Sequence, residues 1–226
     1  MRRVVEVMGT AVSVDIPECR DEVVFRRVFT RLRDIDERFS TYKTASEVSR
    51  FGRRELGETE LSPELSQVIK ACNLAEKQTG GYFSAWAAGA FEPSGYVKGW
   101  AIAQVGKIIE AAGYKTFCIG AGGDILARSD SGKVWNIGIQ SPHDKHEILD
   151  RLSISNGAVC TSGSYERGDH IINPKTKKPA AKFLSVTITG PEIITADILA
   201  TAVIASEEKK PGFLQNFPAY KVILAV

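Results

Sequence analysis

Val24, Val28, Leu32, Ile35 and Phe39 recur at spacings of three and four with charged residues between them, the pattern of an amphipathic helix. A second stripe, Leu65, Val68, Ile69, Cys72 and Ala75, follows Ser62 as cap and Pro63 at the first helical position, and stops at Gly80-Gly81. Residues 98–112 predict a third helix closed by Gly113, and residues 194–205 a fourth, the most apolar. Residues 3–7 and 11–16 are β-rich and flank Met8-Gly9-Thr10, which predicts a hairpin. Residues 116–119 and 124–127 flank Gly122-Gly123 in the same way, with further strands expected at 134–139, 149–154, 170–172, 184–189 and 220–224. Residues 39–52 and 82–95 show no period and read as loops. Helices and strands mix without a strict βαβ repeat. The expected fold is therefore α+β, a single domain over residues 1–226 with a mixed β-sheet core and flanking helices.

At 226 residues and 43% hydrophobic content the chain can bury a core of its own. A net charge of +2, without a basic run interleaved with aromatics, gives no reason to expect nucleic acid as a partner. Cys19, Cys72, Cys118 and Cys160 never form a C-x-x-C pair, which argues against a zinc cluster or a disulfide framework and predicts buried thiols. The opening MRRVVEVMGT holds too few apolar residues for a signal peptide, and no run of ~18 apolar residues could span a bilayer. The expectation is a soluble cytoplasmic protein with no membrane insertion.

Candidate chemistry concentrates late in the chain. Residues 157–179, GAVCTSGSYERGDHIINPKTKKP, set Thr161, Ser162 and Ser164 beside Gly163, Gly168 and His170, a composition suited to gripping phosphate. Asp197 and Thr201 lie four apart on a predicted helix and so share a face, a hard-oxygen pair that suits Mg²⁺. Each feature also has an ordinary explanation. Asp197 reads equally as a first-turn acid with Thr195 as cap, and His170 as a satisfied strand histidine. Lys98 reads as a solvated lysine at a helix start, although the helix dipole would oppose a cation there and favour an anionic partner. GAGGD has neither a dinucleotide register nor the lysine of a P-loop, so it reads as a hairpin turn; TSGS reads as a turn, with no nucleophile elbow.

The motifs taken together say more. MGT at 8–10, FSTY and SEVSRF within 39–51, TGGYF at 79–83, KGWA at 98–101, GGD at 122–124, WNIGIQSP at 135–142, TSGSYER at 161–167, HIINPKTKKP at 170–179, SVT at 185–187 and ADILATA at 196–202 occur in this order. The chain resembles the ApbE family, the FAD:protein FMN transferases, over nearly its whole length. The resemblance implies a Mg²⁺-dependent enzyme that breaks the pyrophosphate of FAD, moves FMN onto a threonine hydroxyl of an acceptor protein and releases AMP. By position it implies FAD contacts at Met8, Tyr42, Tyr82, Phe83, Ser84, Glu92, Lys98 and Ile172. Metal ligands are implied at Asp197 and Thr201, completed by main-chain oxygens at Gly95 and Ala200, with His170 in proton transfer. Members with a small polar residue where this chain has Tyr42 are associated with hydrolysis.

Three departures stand out: Ser84 and Ala103 where aspartates are usual, and Asn173-Pro174-Lys175-Thr176-Lys177 in place of D-P-x-T-G. Glu92 replaces an aspartate, a milder change. Two other functions share the same features: a Mg²⁺-dependent FAD pyrophosphatase yielding FMN and AMP, and a non-catalytic flavin-binding protein.

Overall fold

The hairpin expected at the start of the chain forms. Strands β1 (Arg2–Val7) and β2 (Thr10–Asp15) turn through Met8 and Gly9, both at positive φ as a tight two-residue turn requires. The computed structural model describes residues 1–144, 146–163 and 171–226. Helix α1 (Glu22–Phe39) is capped by Asp21, whose carboxylate accepts from the Val23 N–H at 2.8 Å, and all five residues of its predicted stripe are buried. The next segment departs from the expected loop. Ser46 caps a short helix α2 (Glu47–Gly52), accepting from the Ser49 N–H at 3.1 Å; six residues are too few for a periodic signal. Helix α3 (Pro63–Gln78) starts at Ser62 and Pro63 as expected and gives way to Gly80-Gly81 at positive φ.

Helix α4 (Ser94–Ala111) begins four residues before its predicted start, because Ser94 and Gly95 are residue types that favour turns yet are helical here. Strands β3 (Phe117–Ala121) and β4 (Asp124–Arg128) form the second hairpin around Gly122 and Gly123. Strands β5 (Trp135–Gln140) and β6 (Ile148–Ile154) pair as a separate ribbon. Strand β7 (Gly157–Gly163) is not among the expected strands; its residues read only as part of a phosphate-gripping stretch, with TSGS as a turn. Its small residues, Gly157, Ala158 and Cys160, are buried, because a helix lies directly on them and leaves no room for the larger side chains that announce a strand. Strands β8 (Ile172–Asn173) and β9 (Lys178–Pro179) make a small hairpin. Strand β10 (Ser185–Gly190), helix α5 (Ile193–Ser206) and strand β11 (Lys221–Ala225) complete the chain.

The central sheet has the order β1-β2-β3-β4-β7-β10-β11. Where a mixed sheet was expected, every pairing in it among the described residues is antiparallel, consistent with its many hairpin connections. Helix α1 packs on β1, α4 on β3 and β4, and α5 on β4, β7 and β10, while α4 lies against both α1 and α5. Phe39 and Trp100 meet edge to face at 5.2 Å and lock α1 to α4. Cys19, Cys72 and Cys160 are buried and unpaired as expected, whereas Cys118 is only partly buried. Among the described residues no helix is long and apolar enough to cross a membrane.

Candidate active site

A cleft opens where α4 and α5 meet the ends of β7 and of the two hairpins. The closeness of α4 and α5 starts from glycine. Gly95 and Gly99 stand four apart on α4, as Asp197 and Thr201 do on α5, and the two pairs face each other. A Cβ at Gly95 would lie 2.8 Å from the Thr201 Oγ1, and one at Gly99 would lie 3.0 Å from the Asp197 Oδ2 and 3.1 Å from the Ile193 main-chain oxygen. Only glycine lets the α4 backbone come this near. The Gly99 N–H donates to the Asp197 Oδ2 at 2.8 Å, and the Thr201 hydroxyl lies 3.5 Å from that of Ser162 at the end of β7.

Asp197 is not a first-turn acid. Helix α5 begins at Ile193 after Glu192, so Asp197 sits beyond its first turn at 2% exposure, and Thr195 lies inside the helix without capping it. Lys98 is likewise not at a helix start but in the second turn of α4, where its ammonium lies 2.9 Å from the Asp124 Oδ2 and donates to the Gly122 main-chain oxygen at 3.4 Å. Asp124 is fully buried; its Oδ1 accepts from the Thr161 N–H at 3.2 Å, while its Oδ2 has the ammonium as charge partner without the angular geometry of a hydrogen bond. Burial pushes both carboxyls above their ordinary range, Asp197 strongly, and the Lys98 ammonium only partly offsets this. Burial alone would depress Lys98, but Asp124 and then Asp197 outweigh it, so its ammonium is held above the usual lysine value.

The described candidates converge on this cleft. Met8 reaches it from the β1–β2 turn with φ 56°, an unusual conformation for a non-glycine residue, and Tyr42 stands at its mouth after α1. Tyr82, Phe83, Ser84 and Glu92 line it from the segment before α4, and Gly95 and Lys98 from the first two turns of α4. Ile172, Asp197 and Thr201 complete the set, whereas Ala200 is buried in α5 and does not line the cleft. Glu92 is also engaged locally, accepting from the Ser94 hydroxyl at 2.8 Å. The two tyrosines differ. Tyr82 donates to Glu208 at 3.0 Å and carries the Lys175 ammonium 3.9 Å from its ring centroid, while Tyr42 is 85% exposed. His170, Ser164 and Gly168 lie outside the described residues.

Sequence reasoning passed over Asp124 and Gly122 as parts of a hairpin turn. Gly122 is in that turn and Asp124 is the first residue of β4 after it, and both also hold Lys98; the only signal was the GGD triplet itself. The donor set suits a hard divalent cation. Two carboxylates share one ammonium in a buried cluster, leaving negative charge for a cation to balance, with hydroxyl and main-chain oxygens alongside. Among the described residues no group of three or more His, Cys, Asp or Glu is arranged to hold a metal, so Asp197 and the neighbouring hydroxyl and main-chain oxygens are the candidate donors here.

Comparison with known proteins agrees with the fold and the motifs. Local matches link the chain to proteins named FAD:protein FMN transferase: one from Klebsiella pneumoniae is 30% identical over 112 residues, 44% of this chain and 32% of the relative. Another from Haemophilus influenzae is 30% identical over 130 residues, 52% of this chain and 38% of the relative. These matches thus span only about a third of the relatives' length. The ApbE protein of Thermotoga maritima superposes with a TM-score of 0.85 at 21% identity, over 99% of this chain and 93% of that one. The flavin transferase ApbE of Vibrio cholerae superposes with a TM-score of 0.80 at 19% identity, over 100% and 97%. Residues 8–92 and 87–224 match the ApbE family, and the chain belongs to it.

Proposed function

We propose that this chain transfers FMN from FAD to a threonine hydroxyl of an acceptor protein in a Mg²⁺-dependent reaction that releases AMP, acting as one catalytic unit over residues 1–226. The names of the curated relatives support the flavin chemistry. The observation that carries the proposal is the facing of Asp197 and Thr201 against Gly95 and Gly99, beside the buried ammonium of Lys98, in a cleft lined by apolar and aromatic residues.

Asp197, Thr201 and the main-chain oxygen of Gly95 would hold Mg²⁺, which when bound neutralises pyrophosphate charge and makes AMP a better leaving group. Lys98 offers a second fixed cation to a phosphate oxygen. Met8, Phe83 and Ile172 give apolar walls against which a planar ring can rest, and Tyr42 can cover it from the mouth. The resemblance assigns His170 to take the proton of the acceptor hydroxyl, an assistance worth ~10²–10⁴-fold.

The test mixes purified protein with FAD, with and without Mg²⁺, and with and without a threonine-bearing peptide. The expected result is AMP release that needs Mg²⁺ and rises with the peptide, which captures FMN as a phosphoester. Free FMN formed at an unchanged rate when the peptide is added would make the protein a pyrophosphatase, and FAD binding without AMP would make it a carrier. His170→Ala is expected to slow transfer by ~10²-fold or more while FAD binding, read by flavin fluorescence, stays within a few-fold. Equal losses in both would assign His170 a structural role.

A further inference from the structure

Asp124 is fully buried, yet it belongs to none of the flavin or metal contacts above. A carboxylate in such a place is costly unless it is paired, and its pairing is specific: Lys98 at 2.9 Å on one oxygen and the Thr161 N–H at 3.2 Å on the other. Lys98 precedes Gly99, whose N–H holds Asp197, and the charges of Asp124 and then Asp197 both act on its ammonium, which makes contact with Asp124. The Gly122 main-chain oxygen adds a further pull towards the Asp124 side. Without Asp124, Asp197 would be the remaining acid in that buried cluster, and a lysine paired with it would occupy the place and cancel the charge that a divalent cation needs.

We propose that Asp124 is a positioning residue that draws the Lys98 ammonium aside and so keeps Asp197 and Thr201 open to a divalent cation. The inference rests on the Mg²⁺ reading above and deepens it. With both carboxyls ionised, as a bound divalent cation requires, the wild-type cluster of Asp124, Lys98 and Asp197 offers that cation one surplus negative charge, Asp124→Asn offers none, and removing Lys98 as well restores one. The β3–β4 hairpin that carries Asp124 is then part of the metal site without touching the metal.

The experiment titrates Mn²⁺, as a paramagnetic probe, into the full chain without FAD and reads free Mn²⁺ by electron paramagnetic resonance, with circular dichroism to check the fold. Asp124→Asn is expected to weaken Mn²⁺ binding by ~10-fold or more. The double variant Asp124→Asn/Lys98→Met is expected to return to within about threefold of the wild type, a non-additivity that a purely structural role would not produce. Lys98→Met alone is expected to bind Mn²⁺ at least as tightly as the wild type, and it carries the test should Asp124→Asn not fold. A folded Asp124→Asn that binds like the wild type, a double variant as weak as the single one, or a weaker Lys98→Met would each overturn the proposal. A wild type that takes up no Mn²⁺ would overturn the metal reading itself, which separates the two failures.

Discussion

Tyr42 and Tyr82 stand at one cleft with the same ring, but their neighbours give them different roles. Tyr82 is held by Glu208, by the Lys175 ammonium and by a tilted contact with Phe213 at 6.0 Å, so it is a fixed part of the wall. Tyr42 is 85% exposed and has no ring contact among the described residues, which leaves its face free to stack on a bound ring and shield the phosphate from water. Tyr42→Asn is therefore expected to lower the FMN-peptide to free-FMN ratio several-fold while total AMP changes little, read by chromatography of the products. An unchanged ratio would remove Tyr42 from the partition between transfer and hydrolysis. At Asp197 the expectation is different, because its carboxylate has both a charge and a hydrogen bond to give. In Asp197→Asn the amide oxygen still accepts from the Gly99 N–H, so melting should barely move while FAD cleavage falls by ~10²-fold or more, the scale of a lost electrostatic contributor. Near-full activity with a collapsed melting temperature would make Asp197 a packing residue.

At the scale of elements, the site depends on how close α4 can come to α5. Gly99→Ala should gain ~1 kcal/mol of helix propensity. Against this, the new methyl meets the Asp197 side chain at 3.0 Å and the unyielding Ile193 main-chain oxygen at 3.1 Å. Overpacking of this kind costs ~1–3 kcal/mol, so the net expectation is destabilisation in chemical denaturation together with loss of Mn²⁺ binding. A more stable variant with intact binding would show that the helices can separate freely. This contact also explains what could be read from the chain alone. The stripe of α1, the caps of α3 and the two glycine hairpins were legible, because each is written in neighbouring residues. The start of α4 was misplaced because Gly95 serves proximity to Thr201 and not helix propensity, and Ser94 before it reads as a turn residue. Strand β7 was missed for a related reason: its small residues fit beneath α5 and carry no alternating pattern. Asp197 and Thr201 were visible through their spacing of four. Asp124 was not, since its partner lies 26 positions away, on a different element.

For the molecule as a whole, the cleft joins distant parts of the chain: the β1–β2 turn at Met8, Tyr42 after α1, the segment before α4, the end of β7, and α5 as far as Ala205. A ligand that touches all of them ties the first hairpin to the last helix, and so must stabilise the folded state against global unfolding. At a hundredfold excess over its Kd such a ligand adds ~2.7 kcal/mol. For a chain of this length that corresponds to a rise of roughly 5–10 °C in melting temperature. The His170→Ala variant suits the measurement, because its slow turnover keeps FAD intact during the scan. FAD with Mg²⁺ is expected to give the full rise, FAD with chelator only a small part of it, and Mg²⁺ alone little. The shift should shrink further in Asp197→Asn, which leaves the apolar walls intact but removes a charged oxygen beside the pyrophosphate. A full rise in the presence of chelator would mean that the walls and Lys98 bind FAD without a metal, and would confine Asp197 and Thr201 to packing α5 against α4.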